Sequence, residues 1–377
     1  MIANQKHLFD LPDDVTYLNC AAYSPFLKTV RAAGEIGLER KNQPWNFSST
    51  ILPPEADRMR ELFGGLIGAA ANDIAIVNST AYGIATAAAN LPLERGHNIV
   101  VLEDQFPSNV YAWRRLAESS GGVMRTVAWP ADGNWTPGVI EAIDNDTAIA
   151  ALPPCHWTDG SRLDLVAIGA RCRDAGAAFV VDATQTVGVL DMDMAAIQPD
   201  FLACSAYKWL LCPYTLAFLY VAPHRQDGTP LEHHRWNYGT PVADKTDTAY
   251  DDDYAAGATR FTMGEALNLI NLPMSVAALE QLTEWGPGNI QESLAVLTDR
   301  VADNASERGW AVWPKANRMG HSIGFKPTQT LPVDIHLQLK AENIHISLRG
   351  DSIRVSPHLY NELDDIGRLF EALDRLL

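Results

Sequence analysis

Five side chains that could take part in chemistry follow two apolar runs in the middle of the chain. The first run, 178–181, leads into Asp182 and, three residues later, Gln185. The second run, 200–204, leads into Ser205, Tyr207 and Lys208. Short apolar runs are typical of buried strands, and in open α/β sheets ligands bind at the carboxyl ends of the strands. The spacing therefore predicts one site with an acid, an amide, two hydroxyls and an amine.

These residue types match the needs of pyridoxal 5′-phosphate (PLP). The cofactor requires a lysine for a Schiff base, a carboxylate at its pyridinium nitrogen, donors for its phosphate and a flat group against its ring. An acid or a lysine taken alone is more simply a buried strand residue or an ordinary exposed side chain. The ordered set of five favours a PLP site over that simpler interpretation.

The order Asp, then Gln three residues on, then Ser-x-Tyr-Lys closely resembles the class V aminotransferase family of fold-type I PLP enzymes. That family includes cysteine desulfurases, kynureninases and isopenicillin-epimerase-like proteins, and the resemblance extends over residues 19–361. It implies that Lys208 is the Schiff-base lysine and Asp182 the pyridinium partner. It also implies ring and phosphate contacts, with Gln185 at the ring's phenolic oxygen and with Ser205 and Tyr207 at the phosphate.

Three more segments carry the resemblance. Ser79 and Thr80 stand between a short strand and a helix, a junction that suits both an N-cap and an anion, and in the family this element holds the cofactor phosphate together with a glycine, here Gly83. Phe106 occupies the place where family members stack a His or an aromatic on the ring. After the strand 148–152 the family has His-x-x-Asn near the phenolic oxygen, whereas this sequence has Asp159 as the last residue of that segment.

Two arginines near the C-terminus are the candidates for substrate binding. Residues 354–361 read Arg-x-Ser-x-x-Leu-Tyr-Asn and resemble the family motif whose Arg holds the substrate's α-carboxylate in a bidentate pair. Arg354 is expected in that role, and Arg349 is the alternative because family members place an Arg in the preceding loop. A competing interpretation pairs Arg354 with an acid such as Asp351 or Asp364. No cysteine follows Cys212, so the sulfur-accepting cysteine of the desulfurases has no counterpart.

Alternating strands and helices through residue 210 predict a mainly parallel α/β sheet with right-handed crossovers. The expected architecture is a fold-type I PLP-dependent transferase with a smaller C-terminal α+β domain. We expect an N-terminal segment over 1–28, a large PLP-binding domain over 29–260 and a small domain over 261–377. A long helix over 265–285 is predicted to enter the small domain, and the polar stretch 224–257 is predicted to form surface loops.

Composition restricts the partners and the compartment. The chain has 377 residues and a net charge of −17, which argues against nucleic acid or an anionic membrane as a partner. The N-terminus lacks a signal-peptide pattern, and the five cysteines show no CxxC pairing. We therefore expect a reduced, cytoplasmic protein that binds a small molecule and no metal.

The expected function is an aminotransferase-like reaction on a small α-amino acid, in a homodimer. The segments 235–239 and 257–265 resemble family segments that reach a neighbouring subunit's cofactor. The alternatives are a lyase, either kynureninase-like or β-eliminating, and an epimerase. A catalytically silent PLP-fold protein that acts by binding is a further alternative. A nicotinamide dehydrogenase is disfavoured because no G-x-G-x-x-G follows a strand.

Overall fold

The computed structural model describes residues 1–239, 250 and 252–377. The predicted loop region 224–257 lies partly outside the described residues, because it includes 240–249 and 251. No helix in the described part of the chain is long and apolar enough to cross a membrane.

The strands form three sheets. In chain order they are β1 (Thr16–Tyr17), β2 (Ile74–Val77), β3 (Asn98–Leu102), β4 (Val123–Val127), β5 (Thr147–Leu152), β6 (Ala178–Asp182), β7 (Phe201–Ser205), β8 (Ala217–Val221), β9 (Ala311–Val312), β10 (Ile323–Lys326), β11 (Ile344–His345), β12 (Ser347–Arg349) and β13 (Ser352–Val355). The helices are α1 (Lys28–Asn42), α2 (Leu52–Ile67), α3 (Thr80–Asn90), α4 (Tyr111–Ser120), α5 (Trp135–Ala142), α6 (Leu165–Ala175), α7 (Met194–Ile197), α8 (Asn271–Trp285), α9 (Pro287–Glu307), α10 (Ile335–Ala341) and α11 (Leu363–Leu376).

The main sheet has seven strands in the order β2-β8-β7-β6-β5-β3-β4. Five neighbouring strands, β7 to β4 in that order, run parallel, and β8 is antiparallel to both of its neighbours. Helices bury both faces of the central strands, which are therefore mostly apolar rather than alternating, whereas the edge strand β4 is partly exposed and contains Arg125 and Thr126. Because the parallel strands share one direction, their carboxyl ends meet at the same edge.

The C-terminal part has its own core. An antiparallel sheet in the order β12-β13-β10-β9 packs with α9, α10 and α11 around Trp310, Phe325 and Phe370, whose rings stack. The N-terminal strand β1 pairs with β11 and so joins this part of the molecule. A mainly parallel sheet with helices on both faces and a smaller C-terminal α+β part confirms the predicted fold class.

One predicted helix boundary is wrong. The helix expected from residue 265 begins at Asn271, because Glu265 has a left-handed backbone (φ 58°) and the side-chain oxygen of Asn268 accepts the N–H groups of Ile270 and Asn271. The side chain thus competes with the backbone for the hydrogen bonds that a helix would need there.

Candidate active site

The carboxyl edge of the main sheet gathers the side chains that the sequence singled out. Asp182 is the last residue of β6 and Ser205 the last of β7, and the two strands are paired in parallel. The loop after β3 carries Phe106, and the loop after β5 carries Trp157. A cavity at this edge is lined by Phe106, Asp182, Gln185 and Lys208, together with Gln105, Pro153, Cys155, Trp157 and Thr184.

Lys208 is buried at the centre of this arrangement, with only 5% of its surface exposed. Its Nζ lies 5.3 Å from the ring centroid of Phe106 and 5.5 Å from that of Tyr207. Within the described residues the amine makes no hydrogen bond or ion pair. Burial, and next the charge of Arg354, lower its pKa to about 8, so the amine loses its proton more readily than an exposed lysine.

Asp182 is buried beside the lysine. Its Oδ1 accepts the backbone N–H of Thr184 at 3.1 Å. Burial raises the pKa of the Asp182 carboxyl, while the hydrogen bonds from Thr184 and the charge of Lys208 oppose that rise. A carboxylate in this position is suited to hold a positive charge brought into the pocket by a ligand.

The amide of Gln185 is held in one orientation by its neighbours. The indole Nε1 of Trp209 donates to its Oε1 at 2.9 Å, and its Nε2 donates to the backbone oxygen of Ala21 at 3.2 Å. Gln185 lines the cavity, and among the described residues its Nε2 has only the one hydrogen-bond partner, which leaves an N–H available for a ligand. This orientation suits an oxygen acceptor on a ligand.

Hydroxyl groups cluster where α3 begins. The Thr80 hydroxyl lies 2.8 Å from that of Ser205 and 2.7 Å from that of Thr184, and Ser205 Oγ accepts the backbone N–H of Thr80. Ser79 caps the helix by accepting the N–H of Tyr82 at 3.1 Å. An open cavity of about 510 Å³ extends from Lys208 over these residues. The start of a helix, where the helix dipole favours an anion, and a set of hydroxyls together suit a phosphate.

Gly83 has a packing role in this element. A Cβ at this position would lie 2.9 Å from the Cβ of Ala203 in β7. The glycine therefore lets α3 approach the sheet closely, which brings its first turn to the strand end that carries Ser205.

Tyr207 lines the open cavity of about 510 Å³, which we call the outer cavity, but it is not part of the hydroxyl cluster at the start of α3. Its ring lies 4.4 Å from that of Tyr214 and 5.6 Å from that of Tyr23. Burial, with smaller contributions from neighbouring groups, raises the pKa of Tyr207 to about 12, so its hydroxyl remains a neutral donor at neutral pH.

The two arginines come from the C-terminal part. Arg354 is 1% exposed; its Nη1 donates to the backbone oxygen of Trp157 at 2.7 Å, and its Nη2 lies 3.4 Å from Ser347 Oγ. Arg349 is half-buried and lies over the ring of Trp157, 5.0 Å from its centroid. The competing pairing of Arg354 with Asp351 is absent from the described residues, since Asp351 pairs with Lys326 at 3.0 Å.

Asp159 does not line the cavity that contains Lys208. Its carboxylate accepts hydrogen bonds from Ser161 and from the indole of Trp313, so it faces the C-terminal part. Trp157 lines that cavity instead, with its ring in edge contact with Phe106 at 5.4 Å. His156 is also turned away, since it stacks on Trp135 and bonds to Thr158 and the backbone of Glu103.

Sequence reasoning missed Thr184, Cys155 and Trp157. All three follow the carboxyl end of a parallel strand, the same rule that identified Asp182. Applying that rule to every polar or aromatic residue within a few positions of β5 and β6 would have found them.

The described residues fit PLP. The cofactor needs an amine for covalent attachment, and Lys208 is a buried amine without a partner. It needs a carboxylate, phosphate donors and a ring-covering group, and the pocket holds Asp182, the hydroxyl cluster at α3 and Phe106.

Comparisons with known proteins point in the same direction. Residues 52–369 match the model of the family described as aminotransferase class-V. A probable cysteine desulfurase of Methanothermobacter thermautotrophicus is 27% identical over 387 residues, which cover 96% of this chain and 95% of that protein. Isopenicillin N epimerase of Streptomyces clavuligerus is 24% identical, with 89% and 87% covered. The apo structure of a cysteine desulfurase from Thermococcus onnurineus NA1 has a TM-score of 0.85 at 19% identity, with 100% and 98% covered, which confirms the fold.

Proposed function

The chain belongs to the aminotransferase class-V family, and from that premise we propose that it is a PLP-dependent aminotransferase acting on a small α-amino acid. The observation that carries the proposal is the buried, unpartnered amine of Lys208 beside the buried carboxylate of Asp182. When bound, PLP supplies an electron sink that stabilises negative charge at the substrate's Cα. The residues of this chain would then hold the cofactor, orient the amino acid and move the proton.

Each predicted site residue has a proposed task. Lys208 would bind the cofactor covalently, Asp182 would contact the ring nitrogen and Gln185 the ring oxygen. Phe106 would cover one ring face. The phosphate would lie in the cavity at the start of α3, held by Ser79, Thr80, Ser205 and Tyr207.

The titratable groups that line the Lys208 cavity favour amino-group transfer over epimerisation. Apart from Lys208 they are Asp182, which the ring nitrogen would engage, and Cys155, whose pKa is raised by burial. Tyr207, in the adjoining cavity, has its pKa raised to about 12 by burial and stays protonated at neutral pH. Lys208 is therefore the group suited to take a proton from the substrate's Cα and return it elsewhere. Inversion of configuration at Cα would require a second proton carrier on the opposite face of the substrate.

A lyase is the second candidate, favoured by the size of the adjoining cavity. Next to the Lys208 pocket lies an open cavity of about 890 Å³, walled by Trp129, Trp157 and Trp313, which has room for a side chain beyond Cβ. A desulfurase route through a protein persulfide lacks support, because all five cysteines are buried and none lies in the turn between β12 and β13.

We also propose that the protein is a homodimer in the cytoplasm. Tyr23 and Tyr214, at the open side of the outer cavity, are 59% and 56% exposed, and a partner subunit would cover them. Symmetric dimers are the commonest oligomers of soluble proteins. Five buried thiols without disulfides suit a reducing compartment.

The test combines cofactor mapping with a substrate panel. Borohydride reduction followed by peptide mapping should place the cofactor on Lys208, and a label on another lysine would contradict the assignment. The purified protein is then incubated with α-amino acids, with and without a 2-oxo-acid acceptor. Transfer of the amino group should require both an α-amino acid and the 2-oxo-acid acceptor. Lys208→Ala should abolish this transfer. Release of ammonia or of a shortened amino acid without an acceptor would indicate the lyase instead.

A further inference from the structure

The two arginines lie on the same face of one hairpin. In the antiparallel pairing of β12 with β13, Ser347 is opposite Arg354 and Arg349 is opposite Ser352. Residues directly opposite each other, and those two positions along, share a face of the sheet. Arg349 and Arg354 are therefore diagonal neighbours, while Leu348 and Ile353 face the core on the other side.

Both arginine head groups reach one residue of the loop after β5, Trp157. Arg354 donates to its backbone oxygen, and Arg349 lies over its ring. The two guanidinium groups therefore contact the same tryptophan. Trp157 itself lines the cavity that holds Lys208 and also the larger cavity beside it.

Neither arginine has an acidic partner among the described residues. Arg354 contacts a backbone oxygen and a serine hydroxyl, and Arg349 donates only to the backbone oxygen of Leu348. The Nε atoms of both are buried without a hydrogen-bond partner. The three acids that line the same cavity as Arg349 are engaged elsewhere: Asp351 pairs with Lys326, Asp159 accepts from Trp313 and Ser161, and Asp104 accepts from Trp129.

An α-carboxylate held by Arg354 in a bidentate pair leaves Arg349 without an acidic partner. Under the proposed function, the α-carboxylate pairs with Arg354, the more deeply buried of the two. Arg349 then remains a partly desolvated cation facing the cavity that a substrate side chain would enter, and leaving such a charge unpaired is costly. The planar fork of a guanidinium matches an oxyacid in a bidentate pair.

We propose that Arg349 binds a second acidic group, and that the substrate is an amino acid whose short side chain ends in an acid. This inference rests on the proposed function and adds the class of side chain. The side chain of the substrate is short because both guanidinium groups contact the same tryptophan, Trp157. The wall of the larger cavity that carries Arg349 receives the side-chain acid, and Arg354 receives the α-carboxylate.

Binding of unreactive diacids tests the arginine pair independently of the reaction. Succinate and glutarate, and their monoamides succinamate and glutaramate, are titrated into the cofactor-loaded protein by calorimetry. The wild type should bind each diacid at least about tenfold more tightly than its monoamide. Arg349→Gln should bring that ratio close to one, and Arg349→Lys should give an intermediate ratio because lysine keeps the charge without the fork.

The double change Lys326→Gln with Asp351→Asn is the matched control. It removes a positive and a negative charge that pair with each other at the rim of the same cavity, so the ratio should stay at the wild-type value. A wild-type ratio near one would overturn the proposal. So would an Arg349→Gln variant that weakens diacid and monoamide equally, because Arg349 would then be a ligand of the α-carboxylate.

The substrate panel separates this inference from the proposed function. Amino acids with a side-chain acid should be turned over with a higher kcat/KM than their amides, and that preference should fall in Arg349→Gln. Selective diacid binding without turnover of any amino acid would leave the arginine pair standing and reject the proposed function. Turnover that shows no preference for amino acids with a side-chain acid would leave the proposed function standing and reject the proposed role of Arg349.

Discussion

Replacing Lys208 by methionine should stabilise the cofactor-free protein below about pH 8, and the gain should vanish as the pH rises. The amine is buried and makes no hydrogen bond or ion pair with the described residues, and its pKa falls from 10.5 to about 8. Burial is the main cause. The charges of Arg354 and Arg349 lower the pKa further, while Asp182 and Cys204 oppose them. Methionine keeps the unbranched chain and removes the charge.

The size of the effect follows from the pKa difference. Each pKa unit corresponds to about 1.4 kcal/mol, so holding the charged amine in the folded protein costs at most about 3 kcal/mol. Below the folded-state pKa, the amine is protonated in both the folded and the unfolded chain, and the whole cost is present. Between about pH 8 and about pH 10.5 the unfolded chain binds more protons than the folded one, so the stability of the wild type rises with pH.

The assay is the melting temperature of both proteins, without cofactor, from about pH 6 to about pH 10. The variant should melt a few degrees higher at the acidic end, on the order expected for 1–3 kcal/mol in a chain of this size, and the two curves should converge at the alkaline end. Lys326→Met, at an exposed lysine paired with Asp351, controls for the general effect of the substitution and should show no such convergence. A difference that is constant with pH, or a less stable variant at about pH 6, would refute the reasoning.

Three further outcomes follow from the site. Asp182→Asn should keep cofactor on Lys208 but lower turnover by at least about a hundredfold, because the charge opposite the ring nitrogen is lost; borohydride mapping and steady-state rates check both parts. Arg354→Lys should leave the visible absorbance of the loaded protein intact and lower kcat/KM for amino acids by at least about tenfold; normal kinetics would remove Arg354 from substrate binding. Light scattering at micromolar concentration should give a dimer, and a fully active monomer would contradict that assembly.

The parts of the fold that the sequence predicted well have strong local signals. Helix α6, Leu165–Ala175, ends at Gly176, whose left-handed backbone (φ 72°) terminates a helix, and a glycine in that place is visible in the sequence. The strand ends that carry Asp182 and Ser205 were found because their apolar runs are short and both faces are buried. The start of α8 was not found, because the turn at Asn268 depends on a single side chain within an otherwise helical composition.

The site was harder to predict where loops decide the contacts. Residues 153–160 form an irregular loop after β5, and no periodicity shows which of its side chains turns inward. Asp159 stands where the family has an Asn near the ring's phenolic oxygen, yet its carboxylate accepts a hydrogen bond from the indole of Trp313, 154 residues away in sequence. Such long-range partners are set by packing between the two parts of the molecule, and a single sequence does not display them.

Cofactor binding and substrate binding should respond separately to substitution, because two different parts of the molecule supply the groups proposed for them. The groups proposed to hold the cofactor lie on the large sheet and its loops, whereas both arginines belong to a hairpin with its own core. Trp157 connects them: its ring lines the Lys208 pocket and supports Arg349, and its carbonyl fixes Arg354. Under the proposed function, a change in the hairpin should therefore alter how an anion is bound without moving the lysine, and the smaller part of the molecule would set the choice of substrate.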